Sequence, residues 1–174
     1  MSDFLDIDAQ HQAAIINSLI KENDLLVSIV AFCIMPTHIH LLLKQSKDKG
    51  IEKFMGKVLN AFSRYFNEKH HRSGPLWTGR FKNVLVAKDE QLLHLTRYIH
   101  LNPVSAGLAN KPEKWQYSSY SEYVSPDESL NRICNFDDLF ELSPTQYRKF
   151  VNDGKNYQKQ MSLIKNLVID DYTG

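Results

Sequence analysis

Apolar residues recur along the chain at two periods, and each period predicts a different element. Ala13, Ile16, Leu19 and Ile20 fall three or four apart, predicting an amphipathic helix over 9–22 with Asp8 as its N-cap. The run LLVSIVAFCI at 25–34 is continuous, short and rich in β-branched residues, which predicts a buried strand. Pro36 breaks the chain at 35–37, and HIHLLLK at 38–44 predicts a second strand, so the two form a hairpin. Phe54, Val58, Ala61, Phe62 and Tyr65 return to helical spacing within 51–70, and Gly74 with Pro75 ends that region. Phe81, Val84 and Val86 predict a third strand over 80–87. Asp89 then caps a helix over 90–102, which Pro103 is expected to stop because the residue before a proline is pushed out of helical geometry. Beyond Gly107 come the Tyr- and Ser-rich stretch WQYSSYSEY at 115–123, a short helical piece near 136–141 and a helix near 144–153.

Strands joined by short loops to intervening helices predict an α+β fold, an antiparallel sheet with helices packed on one face. The 174 residues suit one domain of ordinary size, divided here into 1–125 and a mostly helical C-terminal extension over 126–174.

Composition narrows the picture. Hydrophobic residues at 43% and charged residues at 24% match a folded globular chain, which excludes a disordered or collagen-like one. No apolar run reaches the roughly 20 residues needed to span a bilayer, and the N-terminus lacks a secretory signal. A cytoplasmic protein with no membrane partner is expected. Cys33 and Cys134 alone cannot build a disulfide scaffold or a thiolate zinc site and are expected as reduced thiols.

A net charge of +1 argues at first against nucleic acid. Its distribution reverses that inference. Residues 44–88 hold 11 Lys or Arg against three acids, a local charge of +8 that leaves −7 for the remainder. A basic middle between acidic ends is the pattern of a localised phosphate-binding surface. Phe62, Tyr65, Phe66, Trp77 and Phe81 interleave with these bases, and the sequence leaves open whether they stack on unpaired bases or fill the core.

His38 and His40 are the candidate chemistry, with two structural or exposed histidines as the alternative. Two apart on a strand, their side chains share a face about 6–7 Å apart, within reach of one metal ion, while Ile39 is expected to point into the core. On the helix before Pro103, Gln91, His94, Tyr98 and Asn102 form a polar stripe, and Leu92, Leu95 and Ile99 an apolar one. Tyr98 and Asn102 lie one turn apart on one face, which reads either as an amide-oxygen ligand beside a phenol or as a core tyrosine and a helix C-cap before the proline. His94 and His100 are further candidates for proton transfer, with solvent exposure the simpler expectation.

The strings MPTHIHLLLK at 35–44, FSRYFNEKHHRSGPLWTGRFKNVLV at 62–86 and RYIHLNPVSAGL at 97–108 carry a resemblance. With WQYSSYSEY following in order, the chain resembles the single-tyrosine HUH transposases over roughly 4–154, and within them the REP-associated tyrosine transposases of bacterial genomes. The resemblance implies a ferredoxin-like sheet and a metal-dependent transposase or nickase that cleaves and rejoins single-stranded DNA next to hairpins. It implies Mg²⁺ or Mn²⁺ on His38, His40 and Asn102, and Tyr98 as the nucleophile that forms a 5′-phosphotyrosine. Zn²⁺ would also bind imidazoles tightly, so its presence would not identify the physiological ion. Given that task, Lys57, Arg64, Arg80, Lys82 and Arg97 become candidates for phosphate contacts, Arg80 and Lys82 from one face of the third strand. Monomers and homodimers both fit the resemblance.

Three features depart from the pattern. Thr37 stands where the family usually has Asn, and Ser105 where an Arg usually follows Asn-Pro-Val. Family members also begin with a strand before the segment matched by Phe4, and this chain starts at Met1, so that strand is expected to be absent. Residues 161–170 are a candidate replacement strand, though their spacing fits a helix equally well. These departures support an alternative: a catalytically impaired, domesticated DNA-binding protein of the same descent. A small-substrate metallohydrolase using the histidine pair is a third class, weakened by the lack of a fourth strong ligand and by a chain short of a barrel's roughly 250 residues.

Overall fold

A computed structural model describes residues 25–125, 132–139 and 141–153, together with positions 8 and 18. The helix predicted over 9–22 and the candidate strand at 161–170 lie outside the described residues.

Strand β1 (Val27–Ile34) and strand β2 (Ile39–Gln45) pair antiparallel, with Cys33 opposite His40 and Ile34 opposite Ile39. The Met35 N–H closes the connecting turn on the His38 carbonyl at 2.9 Å. A register shift between Ile29 and Ala31 bends β1. Helices α1 (Gly50–Lys69), α2 (Asp89–Ser105), α3 (Tyr120–Val124) and α4 (Pro144–Asn152) follow, with a 3₁₀ turn at Pro112–Lys114 before α3. The fold is α+β, and among the described residues the sheet has two strands.

Residues 80–87, predicted as a third strand, are irregular. A strand needs a partner for every second pair of backbone groups, and the outer edge of β1 is occupied by other segments. Ile34 N–H donates to Tyr117 O at 2.8 Å, Ser119 N–H to Phe32 O at 3.0 Å and Asn135 N–H to Ile29 O at 2.8 Å. Cys33 and Ser118 form an isolated bridge, and the Tyr123 hydroxyl donates to Val30 O at 2.6 Å. The Tyr- and Ser-rich stretch thus lines the sheet edge.

Helix α2 also corrects the reading at its end. Pro103 lies inside it rather than stopping it. Proline lacks only one N–H, and the turn that follows satisfies the free carbonyls: Leu108 N–H donates to Pro103 O at 2.9 Å and Gly107 N–H to Val104 O at 3.0 Å. With Gly107 at φ 70, this is a Schellman ending that terminates the helix two residues beyond the proline. The helical piece predicted near 136–141 is a turn at 137–139, closed by Leu139 N–H on Phe136 O at 3.0 Å. Helix α4 matches its prediction and starts with a capping box between Ser143 and Gln146.

The core lies between β1 and helices α2, α3 and α4, and joins Val30, Ala31, Leu42, Leu95, Ile99, Tyr123, Tyr147 and Val151. Residues 95–100 are buried without a gap, so α2 is enclosed on all sides at mid-length. No described helix is long and apolar enough to cross a membrane.

Candidate active site

Alternation along β2 decides which face carries the histidine pair. His40 and Leu42 share a face, and Leu42 is buried in the core. The pair therefore faces the helices, and Ile39 takes the opposite side, the reverse of the expectation that Ile39 points into the core. From α2, the Tyr98 ring meets the His40 ring edge to face, with centroids 5.8 Å apart. The His38 and His40 rings are perpendicular at 4.7 Å, and their Nε2 atoms stand 2.9 Å apart. The Thr37 hydroxyl lies 3.0 Å from His38 Nδ1. When Nδ1–H donates to Thr37, the His38 Nε2 lone pair faces His40.

Asn102 sits one turn after Tyr98 on α2 and is 5% exposed. Its Oδ1 is buried without a hydrogen-bond partner among the described residues. A buried amide oxygen of this kind costs about 1–3 kcal/mol unless something satisfies it. The imidazole pair, joined here by a hydrogen bond between the two Nε2 atoms, has a spacing that fits a divalent cation. Two nitrogens about 2.1 Å from one ion and at right angles to each other stand about 3.0 Å apart, close to the 2.9 Å between the imidazoles. No cluster of three or more His, Cys, Asp or Glu occurs among the described residues, so a third ligand drawn from them would have to be of another type.

The family profile described as "Transposase IS200 like" matches residues 4–102, more than half of the chain and inclusive of all four residues. The chain belongs to the IS200-like transposase family. A candidate REP-associated tyrosine transposase of Haemophilus influenzae is 30% identical over 108 residues, covering 56% of this chain and 61% of that relative. No solved structure matches the chain.

The cations of this transposase-family chain divide. Lys57 and Arg64 are exposed seven residues apart on one face of α1. Arg80 and Lys82 are also exposed, on irregular chain rather than on one face of a strand. Arg97 departs from the phosphate-facing set altogether. It is 2% exposed, donates from Nη2 to the Asp153 carbonyl and lies over the Phe150 ring at 5.0 Å. A guanidinium enclosed in this way ties α2 to the end of α4 and is not presented to a DNA backbone.

His100, expected on the solvent face, is 1% exposed. Its Nδ1 lies 2.7 Å from the Tyr147 hydroxyl and its Nε2 2.8 Å from Ser119 Oγ. Tyr147 donates to Thr96 Oγ1 at 2.9 Å, and Thr96 donates to Leu93 O at 2.9 Å. With the Tyr147 hydroxyl proton committed to Thr96, His100 donates from Nδ1, and its Nε2 meets Ser119 Oγ, which also lies 3.2 Å from Phe32 O as a donor. Burial holds this ring neutral, pushing its pKa down to about 3. Burial likewise raises the Tyr147 phenol above its ordinary range, so the network carries no charge. The network joins α2, α4 and the chain beside β1, opposite the side of α2 that carries Tyr98. Only the Tyr- and Ser-rich composition of 115–123 hinted at it in the sequence.

Proposed function

We propose that this chain is a metal-dependent transposase or nickase that cleaves and rejoins single-stranded DNA near hairpins, with Tyr98 as nucleophile. The observation that supports it is the meeting of Tyr98 on α2 with His40 on β2, beside imidazole nitrogens 2.9 Å apart. His38, His40 and the orphaned Asn102 oxygen would hold Mg²⁺ or Mn²⁺, which when bound supplies Lewis-acid polarisation of the scissile phosphate.

The chain's own residues account for the remaining steps. The Tyr98 oxygen attacks phosphorus, the P–O3′ bond breaks, and the phenolic proton is lost as the departing 3′ oxygen gains one. The products are a 5′-phosphotyrosine and a free 3′-OH, and reversal or redirection of this step rejoins strands without ATP. Packing against His40 restricts the Tyr98 ring before substrate arrives, which lowers the entropic cost of attack. Lys57, Arg64, Arg80 and Lys82 would contact backbone phosphates.

Incubation of labelled hairpin DNA with the protein and Mn²⁺ tests this reading. A protein-linked strand formed by the wild type and not by Tyr98→Phe is the expected result. DNA binding without an adduct in the wild type would overturn it in favour of the catalytically impaired DNA-binding alternative.

A further inference from the structure

The two halves of α1 meet different surroundings. Gly50 and Met55 in the first half are buried, whereas Phe62 and Tyr65 in the second are 41% and 56% exposed. Single exposed apolar residues are ordinary, but these belong to a built cluster. The Phe62 centroid lies 6.5 Å from that of Tyr65, 6.0 Å from Phe66 and 5.8 Å from Trp77. The loop after α1 folds back to complete it. Asn67 Nδ2 donates to Gly74 O at 2.9 Å, Arg72 Nη2 to Pro75 O at 3.3 Å and Trp77 Nε1 to Leu59 O at 3.2 Å. Gly74, at φ 95, supplies the left-handed turn that brings Trp77 back to Phe62.

Cations rim the rings. Lys69 Nζ sits 5.4 Å from the Tyr65 centroid and 3.1 Å from its hydroxyl, and the Arg72 guanidinium 5.8 Å from the Phe66 centroid. Glu68 is the one acid between residues 53 and 88. The cluster shares no side chain with the group formed by His38, His40, Tyr98 and Asn102.

We propose that the Phe62–Tyr65 face of α1 is a stacking platform for unpaired bases of single-stranded DNA, a second subsite that rests on the DNA partner proposed above. Exposed aromatic faces accept any unpaired base, and flanking cations hold the phosphates between bases. Duplex DNA fits poorly because its bases are already stacked on one another. A second copy of this chain fits poorly because a two-fold contact would set Lys69 and Arg72 against their own counterparts.

The test titrates the full chain with a short labelled oligothymidylate in the absence of divalent ions. Tyr65→Ala is expected to weaken binding by about tenfold, and adding Phe62→Ala to weaken it by about tenfold again. Tyr65→Trp is expected to keep the affinity, and Lys69→Ala to flatten the salt dependence by about one phosphate contact. Because Phe62 touches Trp77, the more exposed Tyr65 carries the test alone if the double variant fails to fold. Wild-type affinity in Tyr65→Ala, or a loss that Tyr65→Trp does not rescue, overturns the proposal. So does equal binding of blunt duplex, tighter binding of oligouridylate, or a dimer that Tyr65→Ala dissociates. Adduct formation separates the two readings: Tyr65-dependent binding with no adduct sinks only the catalytic one, and an adduct formed with Tyr65-independent binding sinks only the platform.

Discussion

The rings of His40 and Tyr98 meet edge to face at 5.8 Å, and through this contact the metal-ligand candidates on one strand reach the nucleophile candidate on a distant helix. Removing the Tyr98 hydroxyl leaves the ring contact in place. Tyr98→Phe is therefore expected to abolish the covalent DNA adduct while changing stability by about 1 kcal/mol or less. Denaturing gels of the reaction and urea unfolding of the same samples give both quantities; a variant that still forms the adduct would show that another residue attacks.

Asn102 offers a test of ion binding that does not depend on catalysis. Asn102→Asp places a carboxylate at a buried position, which is expected to cost about 3 kcal/mol or more without a counter-ion. Mn²⁺ is then expected to raise the melting temperature of the variant more than that of the wild type, because the ion binds only the folded chain. Equal shifts in the two proteins, read by thermal melts with and without Mn²⁺, would remove Asn102 from the ligand set.

His100 predicts a pH dependence with a definite sign. Its folded pKa is depressed to about 3 against an ordinary 6.5. The unfolded chain therefore takes up a proton that the folded chain refuses, and the stability present above the ordinary pKa is lost as pH falls. Between pH 7 and pH 5 the loss is expected to be about 2 kcal/mol. Urea denaturation across that range measures it, and His100→Gln should reduce the slope even though its own stability is lower.

Gly50 opens α1 where the Leu26 carbonyl crosses it, and an added Cβ would collide with that backbone oxygen. Gly50→Ala would ordinarily favour a helix by about 1 kcal/mol. Here it is expected to destabilise by about 1–3 kcal/mol, because neither backbone can move freely. A raised melting temperature in this variant would mean that the hairpin and α1 can separate at their junction.

Much of the local structure was legible. The apolar run at 25–34 and the alternating residues after Pro36 specify a hairpin, and the period of 51–70 specifies α1. The spacing of Tyr98 and Asn102 puts them on one helix face whatever surrounds it. Residues 80–87 form no strand, because alternation shows that a segment can pair and not that it does; residues 117–119 and Asn135 already hold the outer edge of β1. Pro103 did not act as a stop: the helix continues two residues past it and ends in the Schellman turn at Gly107.

What the sequence determined by itself is what neighbours a few residues apart control: the hairpin, the helix periods, the two-residue spacing of His38 and His40, and the +8 segment. Tertiary structure decided which face of β2 the helices cover, that Arg97 and His100 are buried while Phe62 and Tyr65 are exposed, and that Tyr98 meets His40. Burial belongs to contacts between distant segments, such as the hydrogen bond from His100 to Tyr147 across 47 residues. A cation or a histidine reads the same in sequence whether water or protein surrounds it, and only packing distinguishes the two.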